Sequence, residues 1–151
     1  MSTTAVTVAL LVPGCGGGQE YLVLERFFAS SHLRDRTALA RFATTIFEPR
    51  IDGYVDRFRV VDVGPDVKVS TEGEPDASAN RVAQLSLDDP LDPVDLKRDR
   101  PSLVERTVTI EAGVRRPDGT KATRRIQLTL VRASVNQHPA RTGRWIVTAF
   151  R

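Results

Sequence analysis

Hydrophobic and polar residues alternate most cleanly between residues 104 and 132. Val108, Ile110, Ala112 and Val114 are apolar at even positions, against Glu105, Thr107, Thr109 and Glu111. Ile126, Leu128 and Leu130 repeat the even parity, against Arg125, Gln127 and Thr129. Such alternation puts one face of each segment on a core and the other toward solvent. The two segments read as a hairpin joined by Arg116-Pro117-Asp118-Gly119-Thr120. Parity fixes the turn, because directly paired residues share a face. A two-residue Asp118-Gly119 loop would set apolar side chains against polar ones along the whole hairpin. A three-residue loop keeps like with like: Pro117-Asp118 form a type I turn, Gly119 takes a positive φ, and Ile110 faces Ile126 while Val108 faces Leu128.

Helical spacing dominates the earlier part. Tyr21, Leu24 and Phe28 recur at i, i+3 and i+7 with Phe27 beside them, which predicts an amphipathic helix from Glu20 to about His32. Asp35 is a good N-cap for a second helix carrying Leu39, Phe42 and Ile46, with Phe47 at its end and Pro49 as its stop. Phe58 to Val63 reads as a strand, broken by Gly64-Pro65 and resumed by Val67-Lys68-Val69. Thr71 to Asn80 is polar and reads as a loop, and Arg81 to Leu87 alternates as a strand with Ala83, Leu85 and Leu87 on one face. Asp88 to Pro101, with three prolines, reads as a long exposed connection. Arg144 to Phe150 is apolar on both faces, which predicts a strand in the middle of the sheet. Helices followed by antiparallel strands define an α+β fold in which Phe28, Phe42, Ile110, Leu128 and Trp145 converge.

The chain has 151 residues, the size of one domain that buries a core without staples. One cysteine, Cys15, excludes an internal disulfide and a cysteine-based zinc cluster, and His32 and His138 are the only histidines. Neither a metal nor a cofactor is therefore expected. No apolar run approaches the roughly 20 residues of a membrane-spanning helix. The net charge of +3 divides unevenly. Residues 1–96 carry 9 basic and 15 acidic side chains, and residues 97–151 carry 13 and 4. Neither a recognition helix nor an aromatic stacking motif accompanies the basic half, so nucleic acid is not an expected partner.

Residues 1–19 read as a separate segment and 20–151 as the folded domain. Thr3 to Val12 is uncharged and mostly apolar, the size of the apolar region of a signal peptide. Val12-Pro13-Gly14-Cys15 then resembles the lipobox of bacterial lipoproteins, in which the cysteine receives the lipid. Gly16 to Gly18 would be a flexible tether. Pro13 is unusual there, and no basic residue precedes the apolar run. The alternative is a first β-strand, since Val6, Val8 and Leu10 alternate.

The Phe27-Phe28 helix, the Asp35-capped segment RDRTALARF, FRVVDV and the closing GRWIV follow one another in an order that resembles the nuclear-transport-factor-2-like superfamily, especially its small bacterial lipoproteins. The resemblance covers residues 20–151. It implies a strongly curved antiparallel sheet wrapped on helices as a cone-shaped roll, a pocket at the open end, and dimers through the outer face of the sheet. On this reading Phe28, Phe42, Tyr54, Asp62 and Trp145 are candidates for the pocket lining. Enzymes of the superfamily place a carboxylate with a histidine or tyrosine in the cone. Here His32 at a helix end, His138 in a loop, and Tyr54 and Asp56 before a strand offer little for that. Asp62, among valines on a strand expected to be half-buried, would be a base only if buried. No residue is assigned as catalytic. The expected function is a lipid-tethered envelope domain that binds a small ligand or a protein. The alternatives are a soluble cytoplasmic binding or assembly module and, behind it, a small isomerase or dehydratase.

Overall fold

The computed structural model describes residues 18–69, 77–87, 101–135 and 141–151. The segment with Cys15, the connection 88–100 and His138 lie outside the described residues. The first element is the expected helix, α1 (Gly18–Leu33). Its inward stripe is Glu20, Leu24, Phe27, Phe28 and Ser31, a helical repeat one step away from the one read through Tyr21. Tyr21 is instead 41% exposed and stacks on Phe58 at 4.9 Å between centroids.

Asp35 does cap a second helix, accepting the Ala38 N–H at 2.9 Å, but α2 (Arg36–Leu39) is a single turn. Its expected continuation through Phe42 and Ile46 is overridden by tertiary pairing. The Phe42 carbonyl accepts from Val147 N–H, and Thr44 N–H donates to the Val147 carbonyl. Phe42 is left half-buried and Ile46 exposed, while Phe47 is buried. Pro49 does not merely stop a helix but opens another, α3 (Pro49–Asp52), because the first turn needs no donor from it.

Among the described residues the strands form one six-stranded antiparallel sheet. At its centre β3 (Ser102–Arg115) pairs with β4 (Lys121–Val135) along their whole length. β1 (Tyr54–Val63) and β2 (Val67–Val69) pair with β3 on one side. β5 (Arg141–Thr142) and β6 (Ile146–Phe150) pair with β4 on the other, so the sheet is open. The β1 ladder shifts register twice, between Val55 and Arg57 and between Val60 and Asp62. β6 does not lie in the middle of the sheet, as its two apolar faces implied. It is an edge strand whose outer side is closed by residues 42–44.

The hairpin register agrees with the parity argument: Ile110 lies opposite Ile126 and Val108 opposite Leu128. Gly119 has φ 83°, and an added Cβ would meet nothing within 4 Å. Gly119→Ala is therefore expected to cost only the left-handed backbone strain, about 1 kcal/mol, read from a denaturant midpoint. In the same turn the Thr120 hydroxyl and then its N–H donate to Asp118 and hold that carboxyl below the usual aspartate range. This contribution is present above the ordinary aspartate pKa and is lost as pH falls through the lowered one.

Two cores lie on opposite faces of the sheet. On the even face, Val108, Ile110, Ala112, Val114, Ile126, Leu128 and Leu130 pack with Leu24, Phe27 and Phe28 of α1, and with Trp145 and Val147. The expected convergence holds, with Phe42 at its margin. On the odd face, Leu103, Val131, Ala133, Val135 and Ile146 pack against Val82, Ala83 and Leu87. The last three belong to, or directly follow, a helix, α4 (Ala77–Ser86), where alternation predicts a strand and the polar residues 77–80 a loop. Its stripe of Ala79, Val82, Ala83, Ser86 and Leu87 fits a helical period, which wins because it covers the odd face of β4. Ser86 pins the end of α4: its hydroxyl accepts from Ala133 N–H at 2.8 Å and donates to the Arg144 carbonyl at 2.7 Å. Only glycine fits at 143, because a Cβ there would stand 2.6 Å from the Ser86 carbonyl oxygen.

Candidate ligand-binding groove

Towards the β2 end of the sheet, the even face stops being apolar. Arg106 and Arg132 occupy positions that parity assigns to the core. Their guanidinium carbons lie 4.9 and 4.4 Å from the centroid of the buried Trp145 ring, within cation–π range. Arg106 pairs with Glu20 of α1, whose side chain is only 3% exposed. It also donates to Asp66 at 2.6 Å, and Asp66 accepts from Arg132 at 3.0 Å. Half-burying two guanidiniums in this way calls for partnered carboxylates, which α1 and the β1–β2 connection supply.

Beside this cluster runs a groove of about 600 Å³. Leu22 and Val23 of α1, Phe42 and Trp145 form its apolar lining. Arg26, Arg132 and Arg144 supply its charge. Arg144 is fixed by donating to the carbonyls of Arg41 and Leu85, each at 3.0 Å. Arg26 makes no ion pair among the described residues. Two buried donors, Trp145 Nε1 and Arg132 Nε, have no acceptor among the described residues. Buried N–H groups are almost always satisfied, so these two mark a place where an acceptor belongs.

The expected pocket residues do not meet in one place. Phe42 and Trp145 line this groove. Phe28 lines a second cleft of about 470 Å³ between α1 and β1, shared with Glu25, His32, Asp56 and Phe58. Tyr54 stands near that cleft, its ring 5.0 Å from that of His32. His32 packs on Tyr54 rather than hydrogen-bonding to a carboxylate, and Asp56 pairs with Arg115 at 3.4 Å. Asp62, a base only if buried, is exposed on the odd face, because the register shift after Val60 turns it opposite Thr109. No described group of His, Cys, Asp or Glu is placed to hold a metal, and no described helix is long and apolar enough to cross a membrane.

Glu20, Asp66, Arg106 and Arg132 were not among the expected site residues. Three of them carried a signal. Arg106 interrupts the even apolar run from Val104 to Val114, Arg132 follows the even run Ile126, Leu128 and Leu130, and Glu20 stands four residues before Leu24 on the inward stripe of α1. A charge at a core position is informative because it must be paired there. Asp66, in a polar connection, carried none. Compared with known families, characterised proteins and solved structures, the chain matches no family, no characterised protein and no solved structure.

Proposed function

We propose that the domain is a binding module whose groove takes a small amphipathic ligand with an anionic end. The observation that carries this reading is that Trp145 and Arg132, which line the groove together with Arg26 and its apolar wall, each hold a buried N–H, Nε1 and Nε, with no acceptor among the described residues. A carboxylate or phosphate would satisfy the donors, and an acyl or aromatic body would lie along Leu22, Val23 and Phe42. The test uses the only tryptophan in the chain, Trp145, as a fluorescence reporter during titration with octyl phosphate and with octanol. Octyl phosphate is expected to bind more tightly than octanol. Arg132→Gln is expected to weaken it about tenfold or more, the scale of one charged hydrogen bond. Equal binding of the two amphiphiles to both proteins would discard the anionic end.

The lipid tether on Cys15 is part of the proposal. From Cys15 to the first residue of α1, Gly18, the chain reaches at most about 11 Å. Leu22 of the groove is one turn further on, so an acyl anchor would hold the groove close to a bilayer surface. In cells, Cys15→Ser is expected to move the protein out of the membrane fraction. A variant that stays with membranes would discard the anchor, and an unlipidated wild type would favour the soluble binding module with the same groove. Kinship with the nuclear-transport-factor-2-like superfamily, a cone-shaped curvature of the sheet and dimers through its odd face belong to the same reading. The packing of α1 on the even face of an antiparallel sheet supports it.

A further inference from the structure

We propose that Asp66 is a built-in competitor for the ligand's anionic group: its carboxylate and a carboxylate or phosphate in the groove contend for the Arg132 guanidinium lying on the Trp145 ring. The inference rests on the groove being the ligand site. Arg132 is shared between two environments. It lines the groove, and it is held by Asp66 at 3.0 Å on the side of the β1–β2 connection. Arg106 holds the same carboxylate at 2.6 Å, but Glu20 also pairs with it from α1 and remains its partner when Asp66 leaves. Asp66 can leave: its side chain is 36% exposed, it sits on the short connection from Gly64 to Asp66, and water solvates it on departure.

Charge balance points the same way. Within the cluster Glu20, Asp66, Arg106 and Arg132 sum to zero, so an anion that takes Arg132 while Asp66 stays leaves three anions sharing two guanidiniums, with Arg26 and Arg144 on the groove side only. Exchange of Asp66 for the ligand's anion keeps the cluster neutral. The domain therefore binds its ligand more weakly than the groove alone would, by the fraction of time Asp66 leaves Arg132 available. Occupancy is also reported outward, since the ligand releases the β1–β2 connection.

The experiment titrates the full chain with octyl phosphate, inorganic phosphate and octanol, following Trp145 fluorescence in wild type and in Asp66→Asn. Asp66→Asn is expected to bind octyl phosphate about tenfold more tightly and octanol unchanged. Unchanged or weaker octyl phosphate binding in Asp66→Asn, with wild type still binding, overturns the competition and leaves the groove standing. Absence of binding in both proteins overturns the groove and the competition together. Inorganic phosphate tightening as much as octyl phosphate supports the exchange with a free anion as its source; tightening confined to octyl phosphate supports it with a lipid-like ligand. A second measurement needs no variant. Saturating octyl phosphate is expected to raise amide hydrogen exchange over residues 63–69 of wild type, and unchanged or slower exchange there overturns the proposal.

Discussion

Arg106→Met is expected to lower the stability of the domain by about 3–5 kcal/mol, the cost of leaving a buried charge without its partner. Methionine keeps an apolar stem beside Trp145, so packing is largely spared. Asp66 keeps Arg132. Glu20 keeps no cation among the described residues: it stands on the inward face of α1, almost wholly buried, and Arg106 is the cation paired with it. Urea unfolding of wild type and variant measures the loss. The double variant Glu20→Gln with Arg106→Met is expected to recover much of it, because the buried charge is then gone. A single-variant loss below about 1 kcal/mol would place the pair in the class of exposed ion pairs.

Leu128→Ala is expected to cost about 2–5 kcal/mol. Leu128 is fully buried in a central strand, opposite Val108 on one side and Phe150 on the other, so its removal leaves a cavity that neighbouring backbone is too constrained to fill. Val67→Ala, on an exposed side chain of the short β2, is expected to stay within about 0.5 kcal/mol in the same assay. Similar losses at both positions would mean that the hairpin is not the centre of the core.

The hairpin was legible because three local signals agree: alternation on both arms, parity between them, and Pro-Asp-Gly at the turn. The site was less so. Seven residues from Arg81 to Leu87 fit both a strand and two turns of a helix, and what decides is the odd face of β4, far along the chain. β4 itself announces that face, since its apolar positions change parity between Leu130 and Val131, a change that calls for cover on both sides. Phe42 and Ile46 were misplaced for the converse reason. Their spacing is helical, but pairing with Val147 is a long-range contact that outweighs it. The groove depends on such contacts throughout. Its walls come from α1, Phe42, β4 and Trp145, and no local pattern announces that these meet.

The two margins of the sheet carry a consequence for how copies of the protein live together. A strand with a free side is a template on which another chain can grow, and ten residues, the length of β1, is ample for it. Yet β1 bends twice along its length and bears the exposed Asp56, Arg57, Arg59 and Asp62, while Phe42 and Thr44 already use the Val147 backbone groups of β6. An incoming strand would find its ladder out of step on one margin and already taken at Val147 on the other. Among the described residues, the sheet therefore offers β1 and β6 as poor templates for strand-by-strand growth at high local concentration.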